Sequence, residues 1–182
     1  MEDPVRTEYL RDSAESFRKY KAMADKALAR VTEAQFFAVL DAESNSLALV
    51  VKHMAGNLLS RWTDLLTSDG EKPDRDRDSE FEVTDSDTRE SLMERWEAGW
   101  SAAFGSMDAL TPADLDRTLR IRGEPHTLVQ AINRQLTHAA YHVGQIVFLA
   151  KHLRSDGWQS LSIPRGQSRQ FNTGMAAPPT PP

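Results

Sequence analysis

The stretch QLTHAAYHVGQIVFLAKH, Gln135–His152, constrains this chain more than any other. It lies inside a longer amphipathic pattern. Leu128, Ile132, Leu136, Ala139, Val143, Ile146, Ala150 and Leu153 fall three and four apart, the period of a helix with one buried face. No proline interrupts it. A turn of about 100° per residue places His138, His142, Ala131, Leu149 and Leu153 in one arc. Tyr141 and Phe148 border that arc on one side, Val143 and Ile146 on the other. Thr137, Asn133, Gly144 and Lys151 take the opposite, solvent-like arc. The two histidines are four apart, so they stack on one side of the helix, roughly 40° apart about its axis. Both therefore project inward, and Gln135 and Gln145 share their stripe. A polar stripe inside an apolar face needs partners, because unpaired burial costs on the order of 1–3 kcal/mol per group.

The rest of the chain reads as further helices around this one. Leu10, Ala14, Phe17, Ala24, Leu28 and Val31 give an apolar stripe to a first helix over residues 4–31, with Pro4 suited to its first turn. Thr32 to Gln35 forms a capping-box pattern for a short helix over residues 33–39. A second long helix is expected over residues 46–67. On it His53, Asn57, Ser60 and Asp64 share one arc, with Arg61 nearby and Val50, Leu47, Met54, Leu58 and Leu65 alongside. A third, opened by a cap within residues 87–90, carries Leu92, Met93, Trp96, Trp100, Ala103, Phe104 and Met107, an aromatic stripe suited to a core. Between these two runs the charged segment SDGEKPDRDRDSEFEVTDS, residues 68–86, which reads either as a functional ordered loop or as a solvated one. Thr111–Leu115 reads as a helical turn, TLRIR before Gly123 as a brief extended or hairpin segment, and Thr127 to Gln130 as the capping box of the last helix. Residues 161–172 are expected to pack as an extended arm, and 174–182, GMAAPPTPP, to be a disordered tail. The fold class is thus all-α, a four-helix bundle spanning residues 1–173, with up-down-up-down as the simplest topology.

Composition excludes several chemistries. The 182 residues contain no cysteine, so there is no disulfide framework, thiolate metal site or cysteine nucleophile, which fits a reducing cytoplasm. The opening MEDPVRTEYL lacks the apolar core of a signal peptide. No apolar run approaches the roughly 20 residues that span a bilayer. A formal net charge of −5 argues against nucleic acid as the main partner.

The candidate chemistry is metal binding. Two inward histidines on one helix and His53 on another supply three neutral imidazoles, a donor set suited to Zn, Ni or Fe(II) with a position left for water or substrate. His126, just before a helix start, and His152, near its end, are poor ligand candidates. Position 139 is Ala, so the HExxH pattern of metalloproteases is absent. Asn57, Arg61, Asp64 and Gln145 are the candidate catalytic or substrate-contacting residues, with pairing of Arg61 to Asp64 or to the charged loop as the competing reading.

Three stretches carry a resemblance: KHMAGNLLSRWTDLLTSDGEKP (Lys52–Pro73), IRGEPHTLVQAINRQLTHAAYHVGQIVFLAKHL (Ile121–Leu153) and SIPRGQSRQFN (Ser162–Asn172). Through them the chain resembles the DinB/YfiT-like superfamily of metal-dependent enzymes, over nearly its whole length short of the Pro-rich end. The resemblance implies a four-helix bundle, a divalent metal on His53, His138 and His142, and a homodimer, with the Trp96/Trp100 helix and the C-terminal arm as candidate contacts. Related branches include S-transferases that use small thiols and a thiol-dependent isomerase. The implied function is a metal-dependent hydrolase or low-molecular-weight-thiol S-transferase acting on a small-molecule substrate, with the thiol brought as a cosubstrate. The competing readings are a metal-stabilised, stress-associated binding bundle without turnover, and a dimerisation scaffold whose histidines are satisfied core residues.

Overall fold

Four long helices make up about half of the chain, and each begins at a side chain suited to capping it. In the computed structural model, which describes residues 3–155 and 157–176, α1 (Pro4–Leu28) starts at Asp3, whose carboxylate accepts from the N–H groups of Val5 and Arg6. The short α2 (Glu33–Phe37) has the expected Thr32/Gln35 capping box. Ser46 caps α3 (Leu47–Trp62), Thr88 caps α4 (Arg89–Ala109), and Thr127 with Gln130 boxes the start of α5 (Leu128–Arg154). A hairpin, β1 (Thr118–Ile121) and β2 (Glu124–Thr127), leads into α5. Its two turn residues, Arg122 and Gly123, both have positive φ, the requirement of a tight type I′ connection. The protein is thus mostly helical with one small antiparallel sheet among the described residues.

The helices pack as α1 on α5 and α3 on α4, with α3 also against α5 and α1 against α4. The core between them is aromatic. Phe17 meets Trp62 and Trp100 edge-on, at centroid distances of 5.5 and 6.4 Å, and Trp96 meets Trp100 at 5.5 Å. Gly99 sets how closely α3 and α4 approach: a Cβ there would lie 3.0 Å from the Ala55 carbonyl oxygen. Arg89, in the first turn of α4, donates to the carbonyls of Leu28, the last residue of α1, and of Val31 in the turn that follows.

Several expectations are corrected. The first helix ends at Leu28, and a turn carries the chain to Val31. The helix bearing His53 ends at Trp62, five residues early. Asp64 beyond it has φ 51°, a left-handed conformation that Asp tolerates and a helix cannot contain. Asp64 is consequently exposed, off the inward stripe. Trp96 and Trp100, by contrast, are fully buried, as their place in a core stripe implies. The arm is helical at its end: after Pro164 and Gly166 the chain forms α6 (Ser168–Ala176), which takes in the first residues expected to be tail. The remainder of that tail, 177–182, lies outside the described residues. No described helix is long and apolar enough to cross a membrane.

Candidate metal centre

His53 lies near the middle of α3 and faces α5, where His138 and His142 stand one turn apart. One ring nitrogen from each of the three lies within 4.8 Å of the other two, an arrangement compatible with a metal site. The ring centroids are 5.3 Å apart for His53 and His138, 4.9 Å for His53 and His142, and 4.4 Å for His138 and His142. His53 Nε2 and His138 Nε2 are separated by 3.2 Å. Two nitrogens bonded to one tetrahedral ion at about 2.05 Å would stand about 3.3 Å apart, so this pair already has the spacing of shared ligands.

Outer partners fix which nitrogens face inward. His53 Nδ1 donates to Glu80 Oε2 at 2.8 Å. A carboxylate only accepts, so this bond puts the proton on Nδ1 and leaves the Nε2 lone pair toward the centre. His142 Nδ1 likewise donates to Gln145 Oε1 at 2.8 Å. His138 has no such support: its Nδ1 is buried and unpartnered. Phe81 lies against the His53 ring, with centroids 4.8 Å apart.

Glu80 is the residue that sequence reasoning missed. It comes from the charged loop, on a 3₁₀ turn at Asp78–Phe81, and is 3% exposed. Arg75 grips both of its oxygens, Nε to Oε1 and Nη2 to Oε2, each at 2.8 Å. Gly56 makes room for it, since a methyl group at that position would collide with the Glu80 carboxylate. Burial raises the pKa of Glu80, but the hydrogen bonds from His53 and Arg75 and the Arg75 charge outweigh it and hold the group below the ordinary glutamate value. The loop is tied down elsewhere too. Lys52 on α3 bonds Asp87 and the Glu82 carbonyl, each at 2.8 Å, and Ser60 and Arg61 both donate to the Gly70 carbonyl. Of the two readings of this segment, the ordered one describes it.

Glu71 in the same loop gathers three arginines. Arg61 Nη2 lies 2.9 Å from it, Arg122 Nε 3.2 Å and Arg75 Nη1 3.3 Å. Arg61 therefore pairs with the charged loop and not with Asp64. Burial pushes the His138 pKa down to about 3, helped by repulsion from its two histidine neighbours and from Arg75 and Arg61. Burial also lowers His142, to about 4, although its bond to Gln145 opposes the shift. Both imidazoles are neutral at pH 7, as ligands must be.

Next to the histidines a cleft of about 460 Å³ opens, with His53, His138, Asn57, Gln135 and Tyr141 in its wall. Asn57 and Gln135 are buried, and Asn57 Oδ1 and Gln135 Nε2 have no partner. Of the predicted site residues, His53, Asn57, Arg61, His138, His142 and Gln145 thus lie at or around one centre. Asp64 does not: it lines a different cleft, together with Glu80 and Arg75. His126 and His152 lie away from the centre, the former on β2, the latter exposed and stacked on Phe148.

Comparison with known families matches residues 4–167 to a protein family of unknown function, DUF1572. The chain belongs to the DUF1572 family. No curated protein and no solved structure matches it.

Proposed function

We propose that this DUF1572 protein is a metal-dependent enzyme of DinB/YfiT-like four-helix-bundle type, with a divalent cation (Zn, Ni or Fe) held by His53, His138 and His142. The observation that carries the proposal is the convergence of three imidazoles from two helices, two of them oriented through Nδ1 by Glu80 and Gln145. Carboxylate support behind a ligating histidine is a recurrent feature of metal sites, where it fixes the tautomer and raises ligand basicity. A satisfied core histidine needs no such company of other imidazoles.

A divalent cation bound there supplies a Lewis acid that lowers the pKa of a coordinated water or thiol. The chain's own residues do the rest. Glu80 and Arg75 hold the His53 ring in place. Asn57 and Gln135 line the cleft, and each has a buried polar atom without a partner. No carboxylate lines that cleft among the described residues, so the protein offers no general base of the HExxH kind. With no cysteine in the chain, a thiol nucleophile would come from a small cosubstrate. The reading is a hydrolase or thiol S-transferase acting on a small molecule in the cytoplasm. The proposed assembly is a homodimer, with the exposed Tyr141 and Phe148 edge of α5 and the C-terminal segment as its candidate contacts.

The test is a metal titration of chelator-treated protein. Wild type should bind one equivalent of Zn(II) per chain, and His138→Ala should lose that binding while keeping its helical circular dichroism. Unchanged stoichiometry and affinity in His138→Ala would remove the site. Metal-dependent melting without turnover of thiol or ester substrates would favour the non-catalytic bundle instead.

A further inference from the structure

The cleft beside the histidines is lined by five arginines, Arg61, Arg75, Arg77, Arg122 and Arg134, in a protein whose formal net charge is −5. Their partners are few. Glu71 is shared by Arg61, Arg75 and Arg122, and Glu80 is held by Arg75. Arg77 and Arg134 are left over. Arg77 has only a 3.8 Å approach to Asp78, a residue whose side chain is almost fully exposed, and its guanidinium sits 4.9 Å above the Phe81 ring. Arg134 makes no hydrogen bond or ion pair among the described residues. The surplus is therefore positive, and it faces a cleft that reaches His53 and His138.

We infer that the cleft binds a small anionic substrate, its carboxylate or phosphate oxygens held by Arg134 and Arg77 and its uncharged polar atoms met by Asn57 and Gln135. Guanidinium groups match such oxyanions in pairs of parallel bonds. The volume suits a metabolite-sized ligand. The independent observation is the pair of orphans: Asn57 Oδ1 and Gln135 Nε2 belong to buried residues in the wall of the same cleft and have no partner, and a buried polar group so left calls for one. A purely structural role accounts for Arg61, Arg75 and Arg122, which fasten the loop through Glu71 and Glu80. It leaves Arg77 and Arg134 without a task.

This inference names the substrate class of the proposed metal enzyme, but it is tested without metal. Calorimetric titration of the chelator-treated full chain with sodium phosphate and with sodium succinate, at low ionic strength, should show saturable binding of at least one of them at one site per chain. Preference for phosphate identifies a phosphoryl ligand, and preference for succinate a carboxylate. Arg134→Gln and Arg77→Gln, both at exposed positions that leave the fold intact, should each weaken binding roughly tenfold, and Arg134→Lys should keep part of it. Absence of saturable binding by either anion would overturn the inference, as would binding indifferent to both glutamine variants. A chain that binds the anion but not Zn(II) keeps this inference and loses the metal site; the reverse result keeps the metal site and loses this inference.

Discussion

The interior of this protein has two unlike halves that meet on α3. Toward α4 and α1, α3 packs against Phe17, Trp96 and Trp100, with Gly99 admitting a close helix approach. Toward α5 and the charged loop, the same helix presents Lys52, His53, Asn57, Ser60 and Arg61, all buried. The first half gains its stability from apolar area, and its one satisfied indole, Trp96, donates to Asp25. The second half gains none from area. It consists of ion pairs and hydrogen bonds whose desolvation offsets most of their attraction, and it leaves nitrogen and oxygen atoms on His138, Asn57 and Gln135 without partners. The difference separates the part that holds the fold from the part arranged for a ligand. The aromatic half does keep unpaired indole N–H groups on Trp62 and Trp100, but each is a single donor.

The comparison is sharpened by perturbing each half alone. Trp100→Ala should destabilise the fold by about 3–5 kcal/mol while leaving Zn(II) affinity of the folded fraction unchanged; denaturant melts with and without metal measure both. Glu80→Gln removes a buried charge and leaves Arg75 only its longer contact to Glu71, so a loss of about 3 kcal/mol is expected. It should also weaken Zn(II) binding by roughly 10- to 100-fold, and equal metal affinity would show that Glu80 only anchors the loop.

Acid should act on the polar half first. His138 and His142 have folded pKa values of about 3 and about 4, below the ordinary 6.5. Their contribution is complete above pH 6.5 and is lost as pH falls through those folded values, because the unfolded chain takes up protons first. Metal-free protein should lose stability progressively between pH 7 and pH 4. Glu71 and Glu80, held below 4.5, add their own loss at lower pH. A melting temperature flat from pH 6.5 to 4 would contradict the burial of neutral imidazoles. The smallest effect is expected of Gln145→Leu: a stability change of about 0.5 kcal/mol with roughly tenfold weaker metal binding.

What could be read before the structure was whatever repeats with helical period or caps a helix. The stripes of α1, α4 and α5, the boxes at Thr32 and Thr127 and the inward aim of His53, His138 and His142 follow from local spacing, and the hairpin from TLRIR before Gly123. Glu80, Arg75, Arg122 and Arg134 were not legible as site residues. The first two sit in a loop with no periodicity, and Arg122 reaches the cleft only because Asp69 accepts from the N–H groups of Arg122 and Gly123, docking the loop on the hairpin. One signal was available: a Gly56 in a helix otherwise built of good formers marks a close approach, here by the Glu80 side chain. Asp64 was misplaced because helical phase was carried past Trp62, where the chain leaves the helix.

The central claim is that three imidazoles serve one ion. X-ray absorption at the zinc edge, on chelator-treated protein reloaded with one equivalent of Zn(II), tests it most directly. The account predicts a first shell containing three imidazole nitrogens at about 2.0–2.1 Å, reduced by one in His142→Ala. A shell dominated by water or carboxylate oxygens, unaltered in His142→Ala, would contradict it.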